Sequence, residues 1–179
     1  MNTSEKLQAL RRLMQEINAH ALYVGTTDPH QTESVSEHWK AVQWLTGFTG
    51  SMGYAVVTQD EAAFWTDGRY IDQARREIEP QTFQLYSISD PDTPLWNEWI
   101  RLRVHEGEAL SVDGEVLSQF QLQTFREKLT IKNLQILCDR NLVGEVWTDR
   151  PQLSQDPVWE LPQQYAVQSR QEKLLALRK

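Results

Sequence analysis

The stretch FWTDGRY (64–70) places an acid and an arginine two residues apart, between an aromatic strand-like run and a helical pattern. Asp-Gly is a turn signal, with Asp67 a candidate cap for the following helix and Gly68 a candidate left-handed turn residue. Arg69 falls on the first helical turn, where the helix dipole does not favour a cation. A guanidinium offers carboxylate or carbonyl oxygens a planar fork that lysine cannot match. Residue types alone leave two readings open, a surface corner and a ligand contact.

Three other groupings carry chemistry less well. His30, Glu33, Glu37 and His38 give H-x-x-E-x-x-x-E-H, which matches neither H-E-x-x-H nor H-x-x-E-H, so a solvated loop is the better reading. Gly47, Gly50 and Gly53 lack the Lys-Ser/Thr of a phosphate loop and miss the G-x-G-x-x-G spacing. They read as positions of positive φ or close backbone approach. Cys138 ends an apolar run with no base in evidence, so it reads as a small buried hydrophobe.

The elements that must position these residues follow from periodicity. Leu7, Leu10, Met14 and Ile17 lie at helical spacing, with Asn2 to Ser4 as candidate N-caps. ALYV (21–24) suits a buried strand, and the polar run 25–40 a functional loop. YAVVT (54–58) and AAFWT (62–66) read as a hairpin, and Tyr70, Ala74 and Ile78 as a helix that must end by Pro80. Strands over 83–87, 109–113 and 134–138 alternate with a helix over 93–103, capped by Thr93 with Pro94 first, and a helix marked by Leu122, Phe125 and Leu129. This alternation predicts an α/β domain with a mixed β-sheet flanked by helices. From about residue 148 three prolines interrupt the pattern, and Ser169 with Glu172 then opens a new helix that runs to the end of the sequence.

Composition narrows the function classes. The formal charge of −7, with no basic block, argues against nucleic acid as a partner. A single cysteine admits no intrachain disulfide and points to a reducing, cytoplasmic compartment. Residues 1–17 read as an amphipathic helix rather than a signal peptide, and no apolar run approaches the roughly 20 residues of a membrane span. Seven tryptophans are many for 179 residues; most should be core, though the three between 39 and 65 could also line a pocket or an interface.

DPHQTESVSEHWK, WLTGFTGSMG, FWTDGRYIDQA, NLVGEVWTDRP and YAVQSRQEKLLALR occur in this order and spacing. Together they resemble the N-terminal domain of three-domain Xaa-Pro aminopeptidases, in the creatinase/prolidase superfamily. The resemblance covers nearly the whole chain and implies a ribonuclease-H-like motif. It further implies that residues 1–165 form this domain and that 166–179 begin a related middle domain, followed by a catalytic domain. Such enzymes remove an N-terminal residue that precedes proline, using two divalent metals, usually manganese, held by two Asp, one His and two Glu of the catalytic domain. On this resemblance the chain carries no metal ligand and no catalytic residue, aids homodimerisation, and forms part of the substrate cleft.

The family arginine that contacts the peptide substrate matches Arg69, and His30 and Trp39 match family loop positions that could also touch it. Trp65 and Tyr70 become the packing that holds Arg69. Departures are Val42, where relatives commonly carry an arginine, together with Met52 and Ile71-Asp72. The alternative is a non-enzymatic peptide-binding module on the same scaffold, a reuse known among eukaryotic histone-chaperone subunits. Creatinase or dipeptide-specific prolidase chemistry is disfavoured by the long-form motifs.

Overall fold

In the computed structural model, which describes residues 1–178, helix α1 (Thr3–Glu16) opens the chain. Asn2 is its cap: the Asn2 side chain accepts from Glu5 N at 2.9 Å and the Glu5 carboxylate accepts from Asn2 N at 2.8 Å. Strand β1 (Ala21–Gly25) follows, then the polar loop, helix α2 (Ala41–Thr46) and the hairpin β2 (Tyr54–Thr58) and β3 (Ala62–Thr66). Next come α3 (Ile71–Glu77), β4 (Gln84–Ser87), α4 (Trp96–Arg101), β5 (Ala109–Val112), α5 (Gln119–Leu129), β6 (Gln135–Leu137), α6 (Leu142–Val146) and α7 (Arg170–Leu177).

The six strands form one mixed sheet in the order β4-β3-β2-β1-β5-β6. Pairing is antiparallel between β1 and β2 and between β2 and β3, and parallel elsewhere. Only β2 therefore runs against the rest, and five strands present their carboxyl ends to one rim. The chain leaves β1 for β2 on one side and later pairs β5 on the other. In open α/β sheets that reversal of direction opens a crevice beyond the carboxyl ends.

Both faces of the sheet are covered. One buries Leu7, Leu10 and Met14 of α1 with Leu45 and Phe48, Phe64, and Leu142 of α6. The other buries Trp65, Trp99, Ile100, Leu110, Phe125 and Leu129. At roughly 1.5–3 kcal/mol per large buried apolar side chain, these two layers supply the main stabilising term. On the second face a row of stacked rings crosses four strands: Tyr23 to Tyr54 at 5.5 Å, Tyr54 to Trp65 at 5.6 Å, and Trp65 to Tyr86 at 5.2 Å between centroids. Tyr54–Trp65 and Trp65–Tyr86 are direct cross-strand partners, the pairing that stabilises a sheet most.

Two details differ from the sequence expectation. Helix α4 starts at Trp96, not at Pro94, because the Pro94 carbonyl accepts the indole N–H of Trp65 at 2.9 Å. The Glu98 carboxylate accepts from Leu95 N at 2.9 Å and closes the first turn instead of Thr93. Helices α2 and α6 were not expected at all. The glycine-spaced run behaves as the sequence suggested: Gly47 ends α2 at φ +82°, and a Cβ at Gly53 would lie 2.4 Å from the Phe64 ring. From Pro151 onward nearly every described residue is exposed, including Trp159 at 72%.

Candidate functional site

Arg69 stands at the carboxyl end of β3, on the rim. The turn that carries it is held from three sides: Ile88 N donates to Thr66 O at 2.9 Å, Gly68 N to Ser89 Oγ at 3.1 Å, and Thr66 Oγ1 to Met52 O at 2.6 Å. Asp67 caps this turn rather than the helix, because its Oδ1 accepts from Arg69 N at 2.8 Å and α3 does not begin until Ile71. Gly68 is not left-handed; its backbone stays in ordinary φ territory, and a Cβ there would meet Ser89 at ordinary contact distance.

The Asp67 carboxylate grips the guanidinium of Arg69, with Nη2–Oδ2 at 2.6 Å and Nε within 3.2 Å of both oxygens. The Arg69 side chain remains 75% exposed while Asp67 is only 16% exposed. The carboxylate therefore forms the seat and the cation the projecting part. Arg69 holds the Asp67 carboxyl below the usual carboxylate range and is itself pushed up by Asp67, with a smaller contribution from Glu33 of the polar loop. The Tyr70 ring lies 5.4 Å from the guanidinium, and its hydroxyl bonds Ser51 Oγ at 2.8 Å. Trp65 is fully buried beneath the turn.

The polar loop between β1 and α2 is ordered by Asp28, whose carboxylate accepts from His30 N at 2.9 Å and Thr32 N at 3.0 Å and also from the Thr32 hydroxyl. Those hydrogen bonds, the Thr32 hydroxyl first, hold the Asp28 carboxyl below its usual range. His30 is exposed, and it is its backbone N–H that Asp28 fixes. His38 is turned away, its Nδ1 facing Pro151 O at 2.6 Å. Among the described residues no group of three or more His, Cys, Asp and Glu side chains is placed to hold a metal ion. The Cys138 thiol is half-buried, and burial with the neighbouring Asp139 charge pushes its pKa up.

A second feature went unread in the sequence. A cavity of about 290 Å³ opens at the reversal point, beyond Gly25 of β1 and Val112 of β5. Trp39 forms part of its wall, beside Tyr23, Tyr54, Phe125, Asp113 and Arg150. Arg150 Nε donates to His38 O at 2.7 Å, and its guanidinium lies 4.9 Å from the Trp39 ring and 5.8 Å from that of Trp147. These residues come from six separate stretches, so no motif spacing could announce them. Val42 is buried in the apolar layer with Leu45 and Phe48.

The family model described as Creatinase/Prolidase N-terminal domain matches residues 6–140. Among curated relatives, a probable Xaa-Pro aminopeptidase P of Pyricularia oryzae is 34% identical over 99% of this chain, and Xaa-Pro aminopeptidase 2 of Rattus norvegicus is 34% identical over 99%. The chain spans only 29% and 26% of their lengths. The solved X-prolyl aminopeptidase of Caenorhabditis elegans, described as a cytosolic enzyme with a di-nuclear active site, superposes with a TM-score of 0.87. It is 30% identical over 99% of this chain, which covers 31% of that protein. The N-terminal domain of the cytoplasmic peptidase PepQ from Mycobacterium tuberculosis shares the fold at a TM-score of 0.60 and 19% identity. No described helix is long and apolar enough to cross a membrane. With its sheet, its rim and the match over most of its length, this chain belongs to the creatinase/prolidase N-terminal domain family.

Proposed function

We propose that this chain is the non-catalytic N-terminal part of a cytoplasmic Xaa-Pro aminopeptidase, a hydrolase that removes the N-terminal residue of a peptide whose second residue is proline. The observation that carries this reading is the 0.87 TM-score and 30% identity over 99% of the chain with an X-prolyl aminopeptidase about three times as long. Residues 1–165 are the N-terminal domain and 166–179 the start of the next. The exposed, proline-broken course from Pro151 onward supports a connection of this kind.

Arg69 is the substrate-contacting residue in this reading. An exposed guanidinium seated on a less exposed carboxylate has donors left over after Asp67 is served, and these suit a peptide carboxylate or backbone oxygens. Its place on the rim lets it form one wall of a cleft completed by the rest of the protein. His30 and Trp39 are assigned to the same wall through the polar loop, whose Glu33 is close enough to influence Arg69. The metals, manganese in this reading, would activate the attacking water on ligands supplied by the catalytic domain. No step of hydrolysis is assigned to this chain in this reading. The full-length protein is a homodimer in this proposal.

The 179-residue chain supplied with manganese is expected to release no residue from a Xaa-Pro peptide above a metal-only blank. Cleavage above that blank would overturn this division of labour. The continuation of the coding sequence separates the enzyme from a non-enzymatic peptide-binding module. Two Asp, one His and two Glu in the following polypeptide support the first, and their loss the second.

A further inference from the structure

The cavity at the reversal point contains two opposite charges that do not meet. Asp113, from the end of β5, and Arg150, from the turn after α6, both line it and both are half-buried. They form no ion pair with each other, and among the described residues neither pairs with any other charged side chain. Asp113 accepts only from Glu115 N, at 3.0 Å, which leaves one carboxylate oxygen unused. Arg150 donates Nε to His38 O, which leaves its two terminal nitrogens unused. Unpaired charges withdrawn from water are unfavourable unless something compensates them.

The rest of the wall is apolar with donors at its edge. Tyr23, Tyr54 and Phe125 line it, both tyrosines are half-buried, and neither tyrosine hydroxyl has a hydrogen-bond partner among the described residues. Gln121 and Asn141 use their amide oxygens on Ser118 N and Gly144 N and leave their amide nitrogens unmatched. The volume of about 290 Å³ is at the lower end of small-molecule sites, roughly 300–1,000 Å³, which are largely apolar with a few convergent polar groups. Burial pushes the Asp113 carboxyl up and the Arg150 guanidinium down, and the opposite charge of each only partly offsets this for the other.

We propose that this cavity binds a small zwitterion with an apolar body, an amino acid or dipeptide, its ammonium on Asp113 and its carboxylate on Arg150. The apolar side chain lies against Tyr23, Tyr54 and Phe125. The loop between β1 and α2 covers it, since Gln31 Nε2 donates to Val116 O at 2.9 Å and Trp39 stands in the wall. The site is made wholly by this chain and does not depend on the proposed peptidase role.

Titration of the 179-residue chain with L-leucine and with Leu-Leu, read by tryptophan fluorescence and calorimetry, tests it. At least one probe is expected to bind saturably at concentrations up to about 10 mM. The N-acetylated and the C-amidated forms of that probe are each expected to bind at least about tenfold more weakly, because each lacks one charge. Asp113→Asn is expected to lose the preference for a free ammonium while retaining the wild-type circular dichroism spectrum. No saturable response from either probe would overturn the proposal. So would equal binding of the free and capped forms, which needs no variant and holds whether or not Asp113→Asn folds.

Discussion

Arg69 shows how one residue can serve as both corner and contact. Its guanidinium is doubly held by Asp67, yet three quarters of the side chain is exposed. An ion pair on the surface adds little to folding, because water and salt screen it. Arg69→Ala in the full-length protein is therefore expected to leave the melting temperature unchanged within measurement. It should reduce kcat/KM on a Xaa-Pro peptide by about tenfold or more, the loss of a charge-assisted hydrogen bond. A collapse of the melting temperature with kcat/KM intact would make Arg69 a structural corner only. The turn around Arg69 was readable from Asp-Gly alone, whereas its atomic arrangement was not. Asp67 bonds the nearer Arg69 amide and leaves Tyr70 to begin α3 without a side-chain cap.

At the scale of elements, Gly53 decides how β2 begins. A methyl group there would fall 2.4 Å from the Phe64 ring and 3.3 Å from that of Phe48, both fully buried. Neither ring has space to retreat, so Gly53→Ala is expected to destabilise the chain by roughly 1–3 kcal/mol, the usual range for overpacking. Urea denaturation would detect it, and an unchanged midpoint would show that the rings can give way. The long amphipathic α1, the hairpin and the alternating strands were legible because their periods persist over enough residues to be distinctive. Helix α2, with six residues, and α6, with five, are too short for a period to show, and packing of Val42, Leu45, Leu142 and Val143 holds them. The start of α4 was misplaced because a tertiary contact, Trp65 to the Pro94 carbonyl, overrode a local capping preference. The cavity was illegible for the same reason: Tyr23, Asp113 and Arg150 meet only after the sheet has formed.

At the scale of the molecule, the row of rings makes stability depend on alkaline pH. Burial pushes the Tyr23 phenol up strongly and the Tyr54 phenol up to about 12. A free tyrosine ionises near pH 10, so above roughly that value the unfolded chain gives up protons that the folded chain keeps. The contribution of these neutral phenols is thus fully present below pH 10 and is lost as the pH rises towards 12 and beyond. Melting temperatures across this window should fall, and the fall should be shallower in Tyr54→Phe. Parallel curves for the two proteins would refute the assignment. The exposed apolar side chains after Pro151, among them Val158, Trp159 and Leu161, belong with the proposal of a longer parent, in which the following polypeptide would cover them.

The order of the strands also sets a timetable. Central strand β1 meets β2 as soon as residue 58 is made, but its other neighbour, β5, arrives only with residues 109–112. During synthesis from the N-terminus, a four-stranded sheet of local pairings can form first, with one edge of β1 bare. A bare, apolar central strand is a template for pairing with another chain. Nascent chains that pause between β4 and β5 are therefore the species most in need of a chaperone.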